Sequence, residues 1–199
     1  MTDNEQAVYE RLKSDILSAL SRVYAEDGEL LSDNIDVCER SLMHRFTHYF
    51  IELVESGKDS FYKGLHVDGE YNRHGYNPKI LHGKLIFPDV VLHQRGTDGR
   101  NICVIEFKKR LTESGKHRSQ RANGRDVEKL RGMTIHLEDG GEFGYQWGVY
   151  IIFNAKSSSN KFAVVEMKWF HNGEGTTEDY QKYSLPLTHD EGCAVACGL

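Results

Sequence analysis

Long apolar segments are absent from this chain of 199 residues. No run approaches the roughly 20 consecutive apolar residues of a transmembrane helix, which excludes a protein that spans a bilayer through such helices. The first residues, MTDNEQ, are acidic and polar and lack the apolar region of a secretory signal. We therefore expect a soluble, cytoplasmic protein without a membrane partner.

Cysteine is scarce, and its spacing does not form the usual pattern of a zinc site. Cys38, Cys103, Cys193 and Cys197 are scattered, and the last two are separated by three residues and have no partner pair. Cys38 and Cys103 fall in predicted regular elements, where a cysteine acts as a small buried hydrophobe. We expect all four thiols to be reduced.

An overall excess of positive charge is missing as well. The net charge of -5 gives no indication of nucleic-acid binding. Its distribution is uneven, because nine Lys or Arg residues stand against three acids between Lys108 and Arg131, whereas the first 34 residues hold eight acids and three bases. The basic segment is either a surface for a nucleic-acid backbone or a solvated helix and loop.

Internal repeats and long linkers are also absent, which indicates a single domain. An apolar content of 39% and an aromatic content of 11% favour a globular protein with a substantial core. We predict one domain over residues 1–199, with an N-terminal helical extension (1–34), a core (35–172) and a C-terminal tail (173–199).

Two neighbouring predicted strands carry the strongest functional pattern. They span 87–95 and 101–108 and are joined by a polar turn that contains Gly96, Asp98 and Gly99. Because side chains alternate along a strand, Glu106 and Lys108 share one face of the second strand, and Asp89 opens the first. Two carboxylates close together cost free energy unless a cation such as Lys108 or a metal ion compensates. The alternative is that these are surface charges at a strand end.

Two helices precede the strands. Residues 5–25 predict an amphipathic helix, and a second helix begins at 34–36 and ends at Ser56. Glu39 lies on the apolar stripe of the second helix, where a carboxylate must be paired or coordinated. The alternative is that Glu39 lies at the edge of the stripe near the helix start, where the helix dipole favours an acid. His44 and His48 point away from that stripe and do not form an HExxH motif, so we expect them at the surface.

The remaining elements predict a mixed sheet. A strand over 61–73 precedes a polar loop at 74–84, and a helix over 125–137 is followed by strands at 147–155 and 161–170 with a hairpin at 157–160. This order is typical of an α/β or α+β protein. In the 61–73 strand, Glu70 is either a metal or water ligand or a partner of Arg73 or Lys79.

The spacing Pro88-Asp89, sixteen residues, then Glu106-Phe107-Lys108 resembles the PD-(D/E)XK nuclease-like (restriction endonuclease-like) superfamily. The runs CERSLMHRFTHYF (38–50) and EYNR (70–73) are similar to segments of a bacterial group within it. The resemblance covers residues 35–154. It implies an αβββαβ core with a mixed central sheet flanked by helices, here with an extra N-terminal helix.

The resemblance also implies a function, a metal-dependent nuclease that acts on DNA. Asp89, Glu106 and the backbone carbonyl of Phe107 would hold Mg²⁺, with Mn²⁺ as a substitute, and Glu39 would complete the site. Lys108 would orient or deprotonate the attacking water. The bases expected to contact the nucleic-acid backbone are Lys109, Arg110, Lys116, Arg118, Arg121 and Arg125.

The sequence is compatible with two other functions, and also with a homodimer. The same fold can serve as an inert module that binds nucleic acid or protein, which the acidic overall balance favours. A metal hydrolase for small molecules is the other alternative, and the carboxylates alone support it.

Overall fold

The computed structural model describes residues 1–32, 37–56, 59–110, 116–154 and 162–186, with the side chains of 116–123 and 186 excepted. Within these residues the chain forms three α-helices, a mixed sheet of seven strands and two small two-stranded ladders. The predicted mixed α/β class is therefore confirmed.

The first helix, α1 (Asp3–Glu26), agrees with the prediction for 5–25. It starts with a capping box in which Thr2 and Glu5 satisfy each other's backbone N–H groups. Its buried stripe recurs at helical spacing and consists of Val8, Leu12, Ile16, Ala19, Leu20, Val23 and Tyr24. No helix in the described part of the chain is long and apolar enough to cross a bilayer.

The second and third helices are placed differently from their predictions. Helix α2 (Glu39–Val54) begins after the predicted start at 34–36, and residues 33–36 lie outside the described ranges. Cys38 is the N-cap of α2 and is exposed, so its predicted burial is wrong, because an N-cap lies beyond the packing face of its helix. Helix α3 (Lys116–Thr134) begins nine residues before the predicted start and ends three residues before the predicted end.

The strands are short before residue 100 and long after it. In chain order they are β1 (His66–Gly69), β2 (Arg73–His74), β3 (Asn77–Pro78), β4 (Ile80–Leu81), β5 (Lys84–Leu85), β6 (Val90–His93), β7 (Asn101–Lys109), β8 (Trp147–Phe153), β9 (Phe162–His171), β10 (Glu174–Gly175) and β11 (Gln181–Pro186).

The region predicted as a loop over 74–84 contains the two small ladders. Strands β2 and β3 form one, and β4 and β5 form the other. The β4–β5 turn is tight because His82 and Gly83 both have positive φ, at 49° and 73°, as a type I′ turn requires. The prediction missed these ladders because each strand has only two residues.

The central sheet has the order β1-β6-β7-β8-β9, with β10 and β11 both paired to the outer edge of β9. The β7–β8 pair is parallel and the other pairs are antiparallel. The crossover from β7 to β8 contains α3. The predicted tail therefore contributes edge strands up to residue 186, whereas residues 187–199, with Cys193 and Cys197, and the predicted hairpin turn at 157–160 lie outside the described residues.

Apolar residues cover both faces of the sheet, which places the helices in two layers. The larger core joins α1 and α2 to the face that carries Cys103, Ile105 and Phe107. The smaller core joins α3 to the opposite face, through Leu130 and Val104 among others. The buried Cys103 agrees with the prediction. On the opposite face of β7, Glu106 pairs with Lys129 of α3.

Candidate active site

Asp89 and Glu106 come together at one end of the sheet. Strands β6 and β7 are antiparallel with Val90 opposite Ile105, so Asp89 continues the first strand beside Glu106. The Phe107 N–H donates a hydrogen bond of 2.8 Å to Asp89 Oδ2, which fixes the carboxylate against β7. The Asp89 carbonyl accepts from the Glu70 N–H at 3.0 Å. Asp89 is thus held from both neighbouring strands.

The Glu106 carboxylate is buried, and a lysine shares its site. Glu106 is 2% exposed, and its Oε2 lies 2.6 Å from the Nζ of Lys129 on α3. Its Oε1 is buried and has no hydrogen-bond partner among the described residues. Because a buried carboxylate oxygen without a partner is costly, this atom marks a position where a further cation or donor fits.

The environment raises the pKa of both acids. Burial raises the pKa of Glu106 well above its ordinary value, and the Asp89 charge adds to this, while the Lys129 ammonium opposes it. Burial also raises the pKa of Asp89, although the Phe107 N–H and Lys129 counteract it. A divalent cation would reverse both effects, because it favours the ionised carboxylates.

Helix α3 supplies two groups that sequence reasoning did not identify, Asp126 and Lys129. Burial raises the pKa of Asp126, and the charges of Lys129 and Lys108 oppose this, so Asp126 lies within the same electrostatic cluster. Burial lowers the pKa of Lys129, but Glu106, Asp126 and Asp89 more than offset it, and the net shift is upward. We name Glu39, Asp89, Glu106, Asp126, Lys108 and Lys129 the carboxylate–lysine cluster.

A signal for these two residues was present in the sequence. Asp126 and Lys129 each lie four residues before an apolar residue of the same helix, Leu130 and Met133. Residues four apart share a helix face, so both border the stripe that packs on the sheet. From the sequence alone, both residues counted only as charges within the basic segment.

Glu39 and Lys108 form the outer side of the cluster. Lys108 Nζ lies 3.1 Å from Glu39 Oε1, and the Lys109 N–H donates to Glu39 Oε2 at 2.8 Å. The first residue of α2 is thereby attached to the end of β7. The charge of Glu39 contributes to the raised pKa values of Asp89 and Asp126, so it belongs to the same site.

Glu70 points elsewhere. Its φ of 50° lies in the left-handed region, and its Oε1 is 2.8 Å from Arg40 Nη2 on α2. Arg73 and Lys79 were the expected partners, and neither forms an ion pair with Glu70 within the described residues. The structure therefore places the Glu70 carboxylate in a surface ion pair.

The predicted nucleic-acid contacts have varied surroundings. Arg110 forms a two-bonded pair with the buried Glu166, at 2.6 and 2.9 Å. Lys109 Nζ donates to the Val37 carbonyl at 3.3 Å, and Arg125 is exposed. The side chains of Lys116, Arg118 and Arg121 lie outside the described part of the chain. Arg110, which was expected to contact nucleic acid, joins the end of β7 to β9 through this pair, and its side chain is 52% exposed.

The carboxylate–lysine cluster has the donor set of a hard divalent ion. Asp89 and Glu106 lie on neighbouring segments of the sheet, and Glu106 Oε1 lacks a partner within the described residues. Oxygen ligands of this kind suit Mg²⁺. The Lys129 ammonium already neutralises one oxygen of Glu106. No group of three acid or histidine ligand atoms within 4.8 Å of one another occurs here among the described residues, so an ion that uses the remaining oxygen of Glu106 would have at most two side-chain ligands.

Fold and site together define a mixed α/β protein with a buried carboxylate–lysine cluster at one end of its sheet. Comparisons of the chain with protein-family models, with curated proteins and with solved structures find no match.

Proposed function

We propose that the chain is a metal-dependent nuclease that hydrolyses phosphodiester bonds in DNA. The observation that carries the proposal is Glu106, a buried carboxylate with a raised pKa, one oxygen without a partner, and Asp89 beside it. Acids with strongly shifted pKa values in one cluster are typical of functional sites, although ion pairs with a purely structural role shift pKa values too.

The fold supports the proposal through its element order. Helix α2, strands β1, β6 and β7, helix α3 and strand β8 follow one another in the order αβββαβ, apart from the two small ladders. Asp89 directly precedes β6, and the Glu106-Phe107-Lys108 run lies on the adjacent strand β7. We propose that these elements correspond to the restriction endonuclease-like core.

Each residue of the site has a proposed role. Asp89, Glu106 and the Phe107 carbonyl would hold Mg²⁺ or Mn²⁺, with Glu39 at the edge of the site. When bound, the ion would supply a nucleophilic water and stabilise charge on the phosphate oxygens. Lys108 Nζ would orient that water and offset phosphate charge, while Glu39 Oε1, 3.1 Å away, positions the ammonium. Asp126 would adjust the charge around both lysines.

The decisive experiment is a cleavage assay on single- and double-stranded DNA and RNA with Mg²⁺ or Mn²⁺. We expect DNA cleavage by wild type that EDTA abolishes. We also expect Asp89→Asn and Lys108→Ala to reduce the rate by about a hundredfold or more, because each removes a group from the reacting site.

Glu128→Gln provides the matched control, because Glu128 is an exposed acid of α3 outside the cluster. It should cleave at the wild-type rate. Cleavage that survives in Asp89→Asn, or no cleavage by wild type on any of the substrates, would contradict the nuclease proposal.

One observation favours a second candidate, an inert module that binds nucleic acid or protein. Cations of the chain itself already pair with several acids at this end, as Lys129 does with Glu106, Lys108 with Glu39 and Arg110 with Glu166. Such internal pairing would stabilise a site that has no metal. Binding of DNA that is sensitive to salt but indifferent to Mg²⁺ would support this module.

A further inference from the structure

A second cluster of potential ligands lies at the opposite end of the sheet. Glu5 belongs to the first turn of α1, His136 follows α3, and His171 is the last residue of β9. One ligand atom from each of these residues lies within 4.8 Å of the others. We name these three residues the histidine–glutamate cluster.

The separation within the cluster suits a small metal ion. Glu5 Oε1 lies 3.4 Å from His171 Nε2, and this nitrogen is buried and has no hydrogen bond within the described structure. In a tetrahedral zinc site with bonds of 2.0–2.1 Å, two ligand atoms are about 3.3 Å apart. The observed pair, which is also within ion-pair distance, thus has the spacing of two ligands of one ion.

Contacts around the two histidines hold them in place. The backbone N–H of His136 donates to Asn172 Oδ1 at 3.0 Å. Asn172 directly follows His171 and has a φ of 45°. The imidazole rings of His136 and His171 are 5.0 Å apart, and the His171 ring lies 4.6 Å from the Trp147 ring. The backbone bond positions His136 beside the end of β9, and the ring contacts pack the two imidazoles together.

Glu5 is held by the start of its helix. The Thr2 N–H donates to Glu5 Oε2 at 2.6 Å in the capping box, so Oε1 is the oxygen that faces His171. The two carboxylate oxygens are thereby divided between helix capping and the cluster.

An open pocket of about 370 Å³ adjoins the cluster. Glu5 and His136 line it together with Asn101, and Glu138 at its edge is 3.9 Å from His136 Nδ1. A metal ion in the cluster would therefore keep a coordination position that is accessible to water or a small ligand. Three protein ligands and one open position are typical of catalytic zinc sites.

We propose that Glu5, His136 and His171 form a binding site for a transition-metal ion, namely Zn²⁺. Two imidazole nitrogens and one carboxylate select zinc over Mg²⁺, which prefers oxygen ligands. The ion would join α1, the end of α3 and the end of β9. The fourth position would hold a water molecule that faces the pocket.

The zinc site is separate from the carboxylate–lysine cluster. Asn101 lines its pocket, and Glu106 lies five residues further along β7, which corresponds to about 17 Å at the rise of a strand. The proposal does not depend on nuclease activity, and either one can fail without the other.

The test is metal binding by the full chain after removal of metals with a chelator. Calorimetry with Zn²⁺ should give one ion per chain, and Co²⁺ as a spectroscopic probe should give the visible absorption of a four- or five-coordinate ion. Glu5→Gln, His136→Gln and His171→Gln should each weaken Zn²⁺ binding at least about tenfold. Glu5→Gln is the most informative of these, because glutamine also serves in a capping box and the helix start is retained.

Two variants serve as controls. His48→Gln removes an exposed histidine of α2, and Asp89→Asn alters the carboxylate–lysine cluster, and both should bind Zn²⁺ as wild type does. If His171→Gln fails to fold, Glu5→Gln and His136→Gln still decide the outcome. A Co²⁺ spectrum of a six-coordinate hydrated ion, or wild-type zinc affinity in the Glu5 and His136 variants, would overturn the proposal.

Discussion

At the residue scale, the Glu106–Lys129 ion pair is what neutralises the buried carboxylate of the carboxylate–lysine cluster when no metal is bound. The ammonium is 2.6 Å from one oxygen of a carboxylate that is 2% exposed. A buried ion pair adds little net stability, but removal of one partner leaves a buried charge and costs several kcal/mol. The two residues must therefore be treated as a unit.

We predict that Lys129→Gln lowers the free energy of unfolding by about 3 kcal/mol without divalent ions, because Glu106 loses its cation. Mg²⁺ should restore part of this loss, since it would supply the missing positive charge. Urea unfolding with EDTA and with Mg²⁺ measures both effects. Lys182→Gln, at an exposed position of β11, is the matched control.

The Glu106→Gln background isolates the cause of that effect. In this background the carboxylate charge is gone, so the further change Lys129→Gln should cost much less. An equal loss in both backgrounds would mean that Lys129 stabilises the protein through packing and not through the Glu106 charge.

The buried lysine Lys79 gives a prediction of pH dependence. It is 2% exposed, donates to the Arg73 carbonyl and lies 4.5 Å from the centre of the Tyr71 ring. Burial lowers its pKa from 10.5 to about 8, although Asp98 and Asp68 oppose the shift. Between these pH values the unfolded chain binds the proton more strongly, so stability rises with pH across this window.

We predict that wild type gains up to about 3 kcal/mol relative to Lys79→Met as the pH rises from 7 to 10.5. Urea unfolding of the two proteins across this range measures the difference between their free energies of unfolding. The contributions of the other titrating groups are common to both proteins and cancel in that difference. Lys63→Met, at an exposed position, controls for the loss of a lysine charge as such. A difference that does not change with pH would contradict the account of Lys79.

At the element scale, two glycines differ in the space available for a side chain beside the backbone. A Cβ on Gly124, within α3, meets no atom within 4 Å. A Cβ on Gly141, in the turn before β8, would lie 2.0 Å from the Ile135 carbonyl oxygen. That contact is with backbone, so it cannot be relieved by a side-chain rotation.

We predict opposite effects for the two alanine variants. Gly124→Ala should stabilise the protein by about 0.5–1 kcal/mol, because alanine is the better helix former. Gly141→Ala should destabilise it by about 1–3 kcal/mol through the steric overlap. Thermal unfolding measures both, and a stable Gly141→Ala protein would contradict the packing of this turn.

Secondary structure was predictable where periodicity is strong. The stripe of α1 and the apolar runs of β7 and β8 identified these elements to within two residues. The start of α3 was not predictable, because residues 116–124 are polar and contain glycine and asparagine, which locally favour turns.

The candidate site was predictable only in part. The closeness of Asp89 to Glu106 follows from strand order, whereas Glu39 was predicted as a metal ligand and its ion pair with Lys108 was not predicted. Pairs between distant parts of the chain did not follow, as with Arg110 and Glu166, because sequence spacing does not report which strands become neighbours. Lys129 borders the apolar stripe of α3 and was missed because it was counted only as a charge of the basic segment.

At the scale of the whole molecule, the two ends of the sheet differ in chemistry. One end carries carboxylates and lysines, with Arg125 exposed nearby, and the other carries the histidine–glutamate cluster and its pocket. Oxygen ligands at the first end and imidazoles at the second favour different ions. The fold therefore separates a site proposed for Mg²⁺ from a site proposed for Zn²⁺.

The measurement that tests the central claim most directly is the melting temperature as a function of Mg²⁺ concentration. Ligand linkage predicts a gain of about 2.7 kcal/mol at a hundredfold excess over Kd. For a chain of this size, that gain corresponds to a rise of about 5–10 °C. The same titration in Glu5→Gln, where the proposed zinc site is altered, should give the same rise.

Asp89→Asn should abolish the rise, because it removes a metal-binding charge and keeps the acceptor for the Phe107 N–H. Glu128→Gln should retain it. A melting temperature of wild type that does not respond to Mg²⁺, or an equal response in Asp89→Asn, would contradict a divalent metal site at Asp89 and Glu106.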